Sequence, residues 1–473
     1  MRRQKLILGM MALALVSVLV ALGVLVGQDA PTSPLAALAV PTLGRATPTA
    51  RSNVTLLPAT PAPVSLTPTR IGVSDEILAA RRIQALIQDV GQVRELPKQH
   101  EIPFNFLGER EMATYLRRML ADATRNAFVE RQHALLAALH LLPAPGEAYA
   151  PSVQVRVNHV LAFYDLAEGQ IFVGPLGREG DPPDLSLVHQ YAHALVDQHF
   201  DLSSLATDWF SADALRALDA LVEGDATMVM AVQAFGSLEQ ADVDALAKHL
   251  AEVELTDYEG YPTSRAMRDV YVFSYREGAR FVEALLQANW WQGVNNAYLD
   301  PPLSTEQILH PEKYVNTPRD EPRTVRLPNL RTSLDEGWQL TTQDVMGELI
   351  LRAHLDQYLP DTPQAWEAAA GWDGDLAAVW YDDWTEGGRE VLVMRILWDG
   401  VAEANEFVNS YVELIDRRLR GASTVRRAGM PRGGRWWRGE GGDAYVQQAG
   451  DDVLIIWAPD TDTMGQVLAA FGD

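Results

Sequence analysis

Residues 187–200 read LVHQYAHALVDQHF, in which His189 and His193 stand four apart. On a helix that spacing advances about 400° and roughly 6 Å, so both imidazoles project from one face within reach of a common ion. Leu187, Val188, Ala192, Ala194, Leu195 and Val196 supply the apolar setting such a helix needs. Neutral imidazole is the commonest zinc ligand, and a catalytic zinc takes three protein ligands while leaving a fourth position for water. Two residues offer the third ligand. His199 lies six residues past His193, but reaching the same ion demands a sharp turn of the chain, and Val196 rather than glycine stands there. Glu223 lies in ADALRALDALVEGDATMVM, where Leu215, Leu218, Leu221 and Val222 mark an amphipathic helix with a carboxylate near its inner face. Glu223 is the favoured choice.

A histidine pair on an apolar helix is also what two core histidines satisfied by backbone carbonyls look like. An isolated pair would be read that way. Asp197, Asp201, Asp219 and Asp225 are carboxylates able to accept the other imidazole N–H of a ligating histidine. Each, taken singly, also reads as a solvated charge or a cap. Tyr275 and His310 are donors that could face a developing oxyanion, with packing or turn roles the simpler reading of both.

HQYAHALVDQHFDL followed by LVEGDA resembles the HExxH and EG-D-A segments of a group of bacterial gluzincin-like zinc metallopeptidases. FYDLAEGQIFVG, residues 163–174, is similar to the strand and turn that precede the metal helix in that group. FSYREGARFV, residues 273–282, and PPLSTEQILHPEKY, residues 301–314, are similar to its downstream segments. The resemblance spans roughly residues 75–400, and HQYAH with EGDA carries most of it. It implies a mainly helical α+β core with a small sheet, zinc as cofactor, and His189, His193 and Glu223 as metal ligands.

The general base of the family would fall at position 190, where this chain carries glutamine. Gln190 can hydrogen-bond a metal-bound water but cannot accept its proton at neutral pH. A positioned acid/base group contributes about 10² to 10⁴ in rate. Glutamine and glutamate are nearly isosteric, so the site is expected to fold and to hold zinc. The expectation is a catalytically impaired, zinc-retaining homologue that acts by binding a peptide or protein. An atypical active hydrolase, using another carboxylate such as Asp197, and a metal-free scaffold are the alternatives.

The elements around these residues follow from periodicity. Ser74 precedes DEILAARRIQALIQDVGQV as an N-cap, and helices follow around residues 109–124 and 126–142. VQVRVNHVLAFYDL and QIFVG read as strands joined at Glu168-Gly169, a hairpin beside the metal helix. An edge strand in that position offers an extended peptide a place to pair. Helices dominate residues 184–299. Later the texture changes: EVLVMRILW reads as a strand, VAEANEFVNSYVELIDRRLR as a helix, DAYVQQAGDDVLIIWAP as two strands and TMGQVLAAF as a helix. The expected division is a metallopeptidase-like domain over 74–370 and a small α+β domain over 371–473.

MRRQK followed by the uncharged apolar run of residues 6–27 is longer than a signal-peptide core and long enough to cross a bilayer. It is read as a signal anchor with Arg2, Arg3 and Lys5 in the cytoplasm, which puts the bulk of the chain outside, or secreted if the segment is cleaved. Residues 28–73, rich in Pro, Thr and Ala, read as a disordered tether. There is no cysteine, so no disulfide supports the fold. A net charge of −24 argues against nucleic acid as a partner, since phosphate contacts need a positive patch. Arg426, Arg427, Arg432, Arg435 and Arg438 around Trp436 and Trp437 form a local basic exception, read as an exposed hairpin or loop.

Overall fold

The computed structural model describes residues 81–471 apart from 82, 109, 113, 116–126, 143–161, 175–184, 206–210, 238–263, 383–387 and 426–432. The expected anchor (6–27) and tether (28–73) lie outside the described residues. No helix among the described residues is long and apolar enough to cross a membrane.

The first unit pairs a three-stranded sheet with helices. β1 (Phe104–Phe106), β2 (Ala162–Asp165) and β3 (Gln170–Val173) lie in the order β1-β3-β2, with β1 parallel and β2 antiparallel to β3. The expected hairpin is β2–β3, closed by Gly169 at φ 64°, a left-handed turn that glycine adopts without a steric cost. α1 (Val90–Val93) precedes these strands and α2 (Ala127–Ala138) lies between β1 and β2, while α3 (Leu185–Phe200), α4 (Ala212–Phe235) and α5 (Arg265–Leu299) follow β3 in the chain. α5 is broken by two non-helical residues, Asn289 and Trp290. Leu187, Val188, Ala192, Ala194, Leu195 and Val196 of α3 are all buried, in one core with Leu218 and Leu221 of α4 and Phe281 and Leu285 of α5. Each such aliphatic side chain contributes about 1.5 to 3 kcal/mol on full burial, and that core holds α3 in place.

α4 starts at Ser211, whose side chain accepts from Ala214 N, and stops at Gly236 in the left-handed region. α6 (Thr305–Leu309) and α7 (Pro311–Val315) then lead out of the helical unit.

The second unit is a seven-stranded antiparallel sheet. It comprises β4 (Gln339–Asp344), β5 (Trp372–Tyr381), β6 (Glu390–Trp398), β7 (Ser423–Val425), β8 (Gly434–Gly439), β9 (Gly442–Ala449) and β10 (Asp452–Ala458). Their order is β4-β5-β6-β10-β9-β8-β7. α8 (Gly347–Asp356), α9 (Thr362–Ala369) and α10 (Val401–Arg418) cover one face, and α11 (Thr461–Ala469) packs on the other. Leu392 and Met394 of β6 join the first face while Val391 and Val393 join the second. Burial on both faces is why EVLVMRILW is a nearly unbroken apolar run rather than an alternating one.

Two expectations are corrected here. The boundary placed at residue 371 falls inside the second unit, because β4, α8 and α9 precede it and pack with the sheet. The stretch around Trp436 and Trp437 does form a hairpin, β8 with β9, with Arg435 and Arg438 exposed, but both indoles are buried in a strand that also pairs with β7, while Arg426, Arg427 and Arg432 lie outside the described residues.

Candidate metal centre

α3 and α4 bring three ligand atoms together. His189 Nε2 lies 2.9 Å from Glu223 Oε2, His193 Nε2 lies 2.9 Å from His189 Nε2, and His193 Nε2 lies 3.5 Å from Glu223 Oε2. A tetrahedral zinc with ligands at about 2.0 to 2.1 Å separates its donor atoms by roughly 3.3 Å, which these distances bracket. Among the described residues this is the one group of three or more His, Cys, Asp or Glu side chains that could hold an ion. Two imidazole nitrogens and a carboxylate oxygen aimed at one point are all electron-pair donors. Without a cation, protons alone must keep them from repelling one another.

The charge balance has the same cause. Burial and the neighbouring His193 push the His189 pKa down. Against the downward push of burial, Glu223 raises that of His193. Against the upward push of burial, His193 and the bond from His189 hold the Glu223 carboxyl well below its usual range. A metal requires both imidazoles neutral and the carboxylate ionised, so an ion would have to displace the proton that Glu223 favours on His193. His189 Nδ1 is buried with no hydrogen-bond partner among the described residues. The donor set fits zinc; among the described residues, the partner usually found behind a ligating histidine does not stand at His189 Nδ1.

Glycine at position 224 governs how Glu223 is presented. α4 and α5 cross so closely there that a Cβ on Gly224 would lie 2.2 Å from the carbonyl of Gly278. Behind the crossing, Arg94 is fully buried, and its Nε donates to both oxygens of Asp225 at 2.7 and 2.9 Å. Tyr298 Oη donates to Asp225 Oδ2 at 3.0 Å, and Arg94 Nη2 donates to Asn295 Oδ1 at 2.9 Å. Trp291 stacks 4.5 Å from the guanidinium. Sequence reasoning missed Arg94: it stands 131 residues from Asp225, and its only signal is one arginine at the end of an apolar helical run.

The other predicted residues fall elsewhere. Asp225 serves Arg94 and Tyr298. Asp219 accepts from Ser274 Oγ at 2.6 Å. Asp197 accepts from Tyr164 Oη at 2.7 Å and Leu202 N at 3.0 Å. His199 contacts Pro97 O at 2.8 Å and Gln99 at 3.2 Å, away from the ligand cluster. Its role as an alternative ligand is therefore corrected: α3 continues straight through Val196 to Phe200, and six residues on a helix point His199 off the metal face. Gln190 is turned to the sheet, where its Oε1 accepts from Tyr164 N at 2.7 Å. Tyr275 lies beside the site, its ring centroid 6.2 Å from that of His189. His310 sits with Glu348 and Arg352, at 3.1 and 3.4 Å.

Compared with known proteins, residues 337–468 are similar to a domain of unknown function, DUF8575. No curated protein and no solved structure matches the chain. The matched stretch coincides with the seven-stranded sheet unit and starts two residues before β4. It leaves out His189, His193 and Glu223.

Proposed function

We propose that the chain is a zinc-binding homologue of gluzincin-type metallopeptidases, impaired in hydrolysis and acting by binding a peptide or protein. Residues 6–27 would hold it at the membrane with its bulk outside the cell. The observation that carries the reading is the convergence of His189 Nε2, His193 Nε2 and Glu223 Oε2 within 2.9 to 3.5 Å.

Zinc bound there would be held by those three residues and would supply an electrophilic centre with one open position. Gln190 contributes no proton acceptor: its amide oxygen is already engaged by Tyr164 N–H and has no basicity at neutral pH. Asp197, the alternative base, is committed to Tyr164 and Leu202. Both assignments support binding over turnover.

The test is metal analysis of the purified full chain together with a peptidase assay of wild type and Gln190→Glu. One zinc per chain, lost in His189→Ala, with hydrolysis only in Gln190→Glu, is the expected outcome. Chelator-sensitive proteolysis by the wild type would replace impaired binding with an active hydrolase, and a metal-free chain would remove the reading altogether.

A further inference from the structure

The free edge of the small sheet is engaged where the metal helix reaches it. Among the described residues, the order β1-β3-β2 leaves one side of β2 unpaired within the sheet. Ile171, opposite Tyr164, sends its N–H to Pro103 O at 2.9 Å, toward the β1 side. Tyr164 and Ile171 therefore form a pair without mutual backbone bonds, and the N–H and C=O of Tyr164 point outward. By two-residue alternation Ala162 is the other outward-facing residue of this strand. The outward N–H of Tyr164 ends on Gln190 Oε1 at 2.7 Å. Its hydroxyl ends on Asp197 Oδ2 at 2.7 Å. Gln190 and Asp197, two turns apart, share a face of α3, so Tyr164 lies along the metal helix and is fixed at both ends.

We infer that Gln190 is a positioning residue that closes edge strand β2 at Tyr164, so that the ligand of the metal centre is a compact anion, such as a carboxylate, presented without backbone pairing to this strand. The inference rests on the metal reading above and narrows its ligand. Strand addition needs the outward donors and acceptors of an edge. Of the two outward N–H groups in β2, the one nearer the hairpin turn is already bonded to the helix that carries the histidines. An incoming backbone carbonyl would have to displace the Gln190 amide and leave that half-buried oxygen without its donor. A carboxylate at the end of a chain, or on a side chain, needs no such displacement.

The test uses the full chain with zinc and two probes: acetohydroxamate, which engages the metal alone, and a peptidyl hydroxamate with an extended backbone. Gln190→Met removes the acceptor at nearly constant shape, and Gln190→Glu keeps it. Amide hydrogen exchange at Tyr164 is expected to quicken about tenfold or more in Gln190→Met and to return to the wild-type rate in Gln190→Glu. The wild type is expected to bind the two hydroxamates within about threefold of each other, and Gln190→Met to prefer the peptidyl probe about tenfold. Unchanged Tyr164 exchange in Gln190→Met, or a preference of the wild type for the peptidyl probe of about a hundredfold, would overturn the inference. Loss of metal and of both hydroxamates would instead defeat the metal reading, while Tyr164 exchange would still decide whether the edge is closed.

Discussion

A side chain on Gly224 would begin inside the backbone of Gly278: a Cβ built there lies 2.2 Å from both the carbonyl carbon and oxygen. In return, a Cβ on Gly278 would lie 2.1 Å from Ala220 O. The spacing of α4 from α5, one residue beyond Glu223, is thus set by two missing side chains. Gly224→Ala gains about 1 kcal/mol in helix propensity but must push backbone apart. A net loss of about 2 kcal/mol is expected, as for a strongly overpacked core, together with reduced zinc content. Urea denaturation and metal analysis check both, and a variant as stable as wild type would show that the helices part freely.

Zinc is expected to raise the melting temperature. At about a hundred times its dissociation constant a ligand of the folded state adds about 2.7 kcal/mol. At about 2 to 4 °C per kcal/mol for a domain of this size, the rise is roughly 5 to 10 °C. Calorimetry with zinc and with chelator measures it. Glu223→Gln, which keeps the shape and removes the charge, is expected to lose most of the shift; identical melting of the wild type in both buffers would contradict the prediction.

Arg94 and Asp225 form an ion pair with both side chains fully buried. Removing one partner of such a pair leaves an uncompensated charge and costs about 3 to 5 kcal/mol. Arg94→Ala is therefore expected to be among the most damaging single changes in the helical unit. Arg94→Met combined with Asp225→Leu is expected to recover much of the loss. A cost below about 1 kcal/mol for Arg94→Ala, read from denaturant midpoints, would mean that water reaches Asp225.

Asp213 gives a pH dependence of unusual sign. Burial pushes its carboxyl up to about 7, against the bonds it accepts from Thr305 N and Oγ1. The folded state therefore holds a proton that the unfolded chain, at the ordinary value of 3.8, has released. This contribution is fully present below about pH 4 and is lost as pH rises toward 7. Measured as the difference in unfolding free energy between wild type and Asp213→Asn, the wild type is expected to lose ground steadily across that window. A flat difference would show that the carboxylate is ionised throughout.

The convergence of His189, His193 and Glu223 was legible in the sequence because helical periodicity turns a four-residue spacing into a shared face, and because Glu223 sits within an apolar helical pattern. What each carboxylate serves was not. Asp197, Asp219 and Asp225 look alike as letters, and only the folded chain assigns them to Tyr164, Ser274 and Arg94. The fate of Gln190 was hidden for the same reason, since its partner is a backbone N–H on a strand 26 residues earlier. In the sheet unit, strands buried on both faces announced themselves as apolar runs. β5 did not: Asp373, Gly374 and Asp375 interrupt its start. Asp375 proves to accept from Met346 N, Gly347 N and Trp372 Nε1 rather than from water. The strand that lies ahead of the expected boundary is β4, QLTTQD, whose single leucine gives no apolar run to announce it.

The sheet unit also reaches back into the helices. Asp344, at the end of β4, accepts from Ala212 N at 3.0 Å in the first turn of α4 and from Gln132 Nε2 of α2 at 2.8 Å. A cut at residue 337 would remove both donors and leave the half-buried carboxylate only Val345 N from its own unit, with water or a new neighbour to supply the rest. Asp344 thus fastens the first turn of α4 and the side chain of Gln132 to the sheet at once, so that one carboxylate sets the register between the two units.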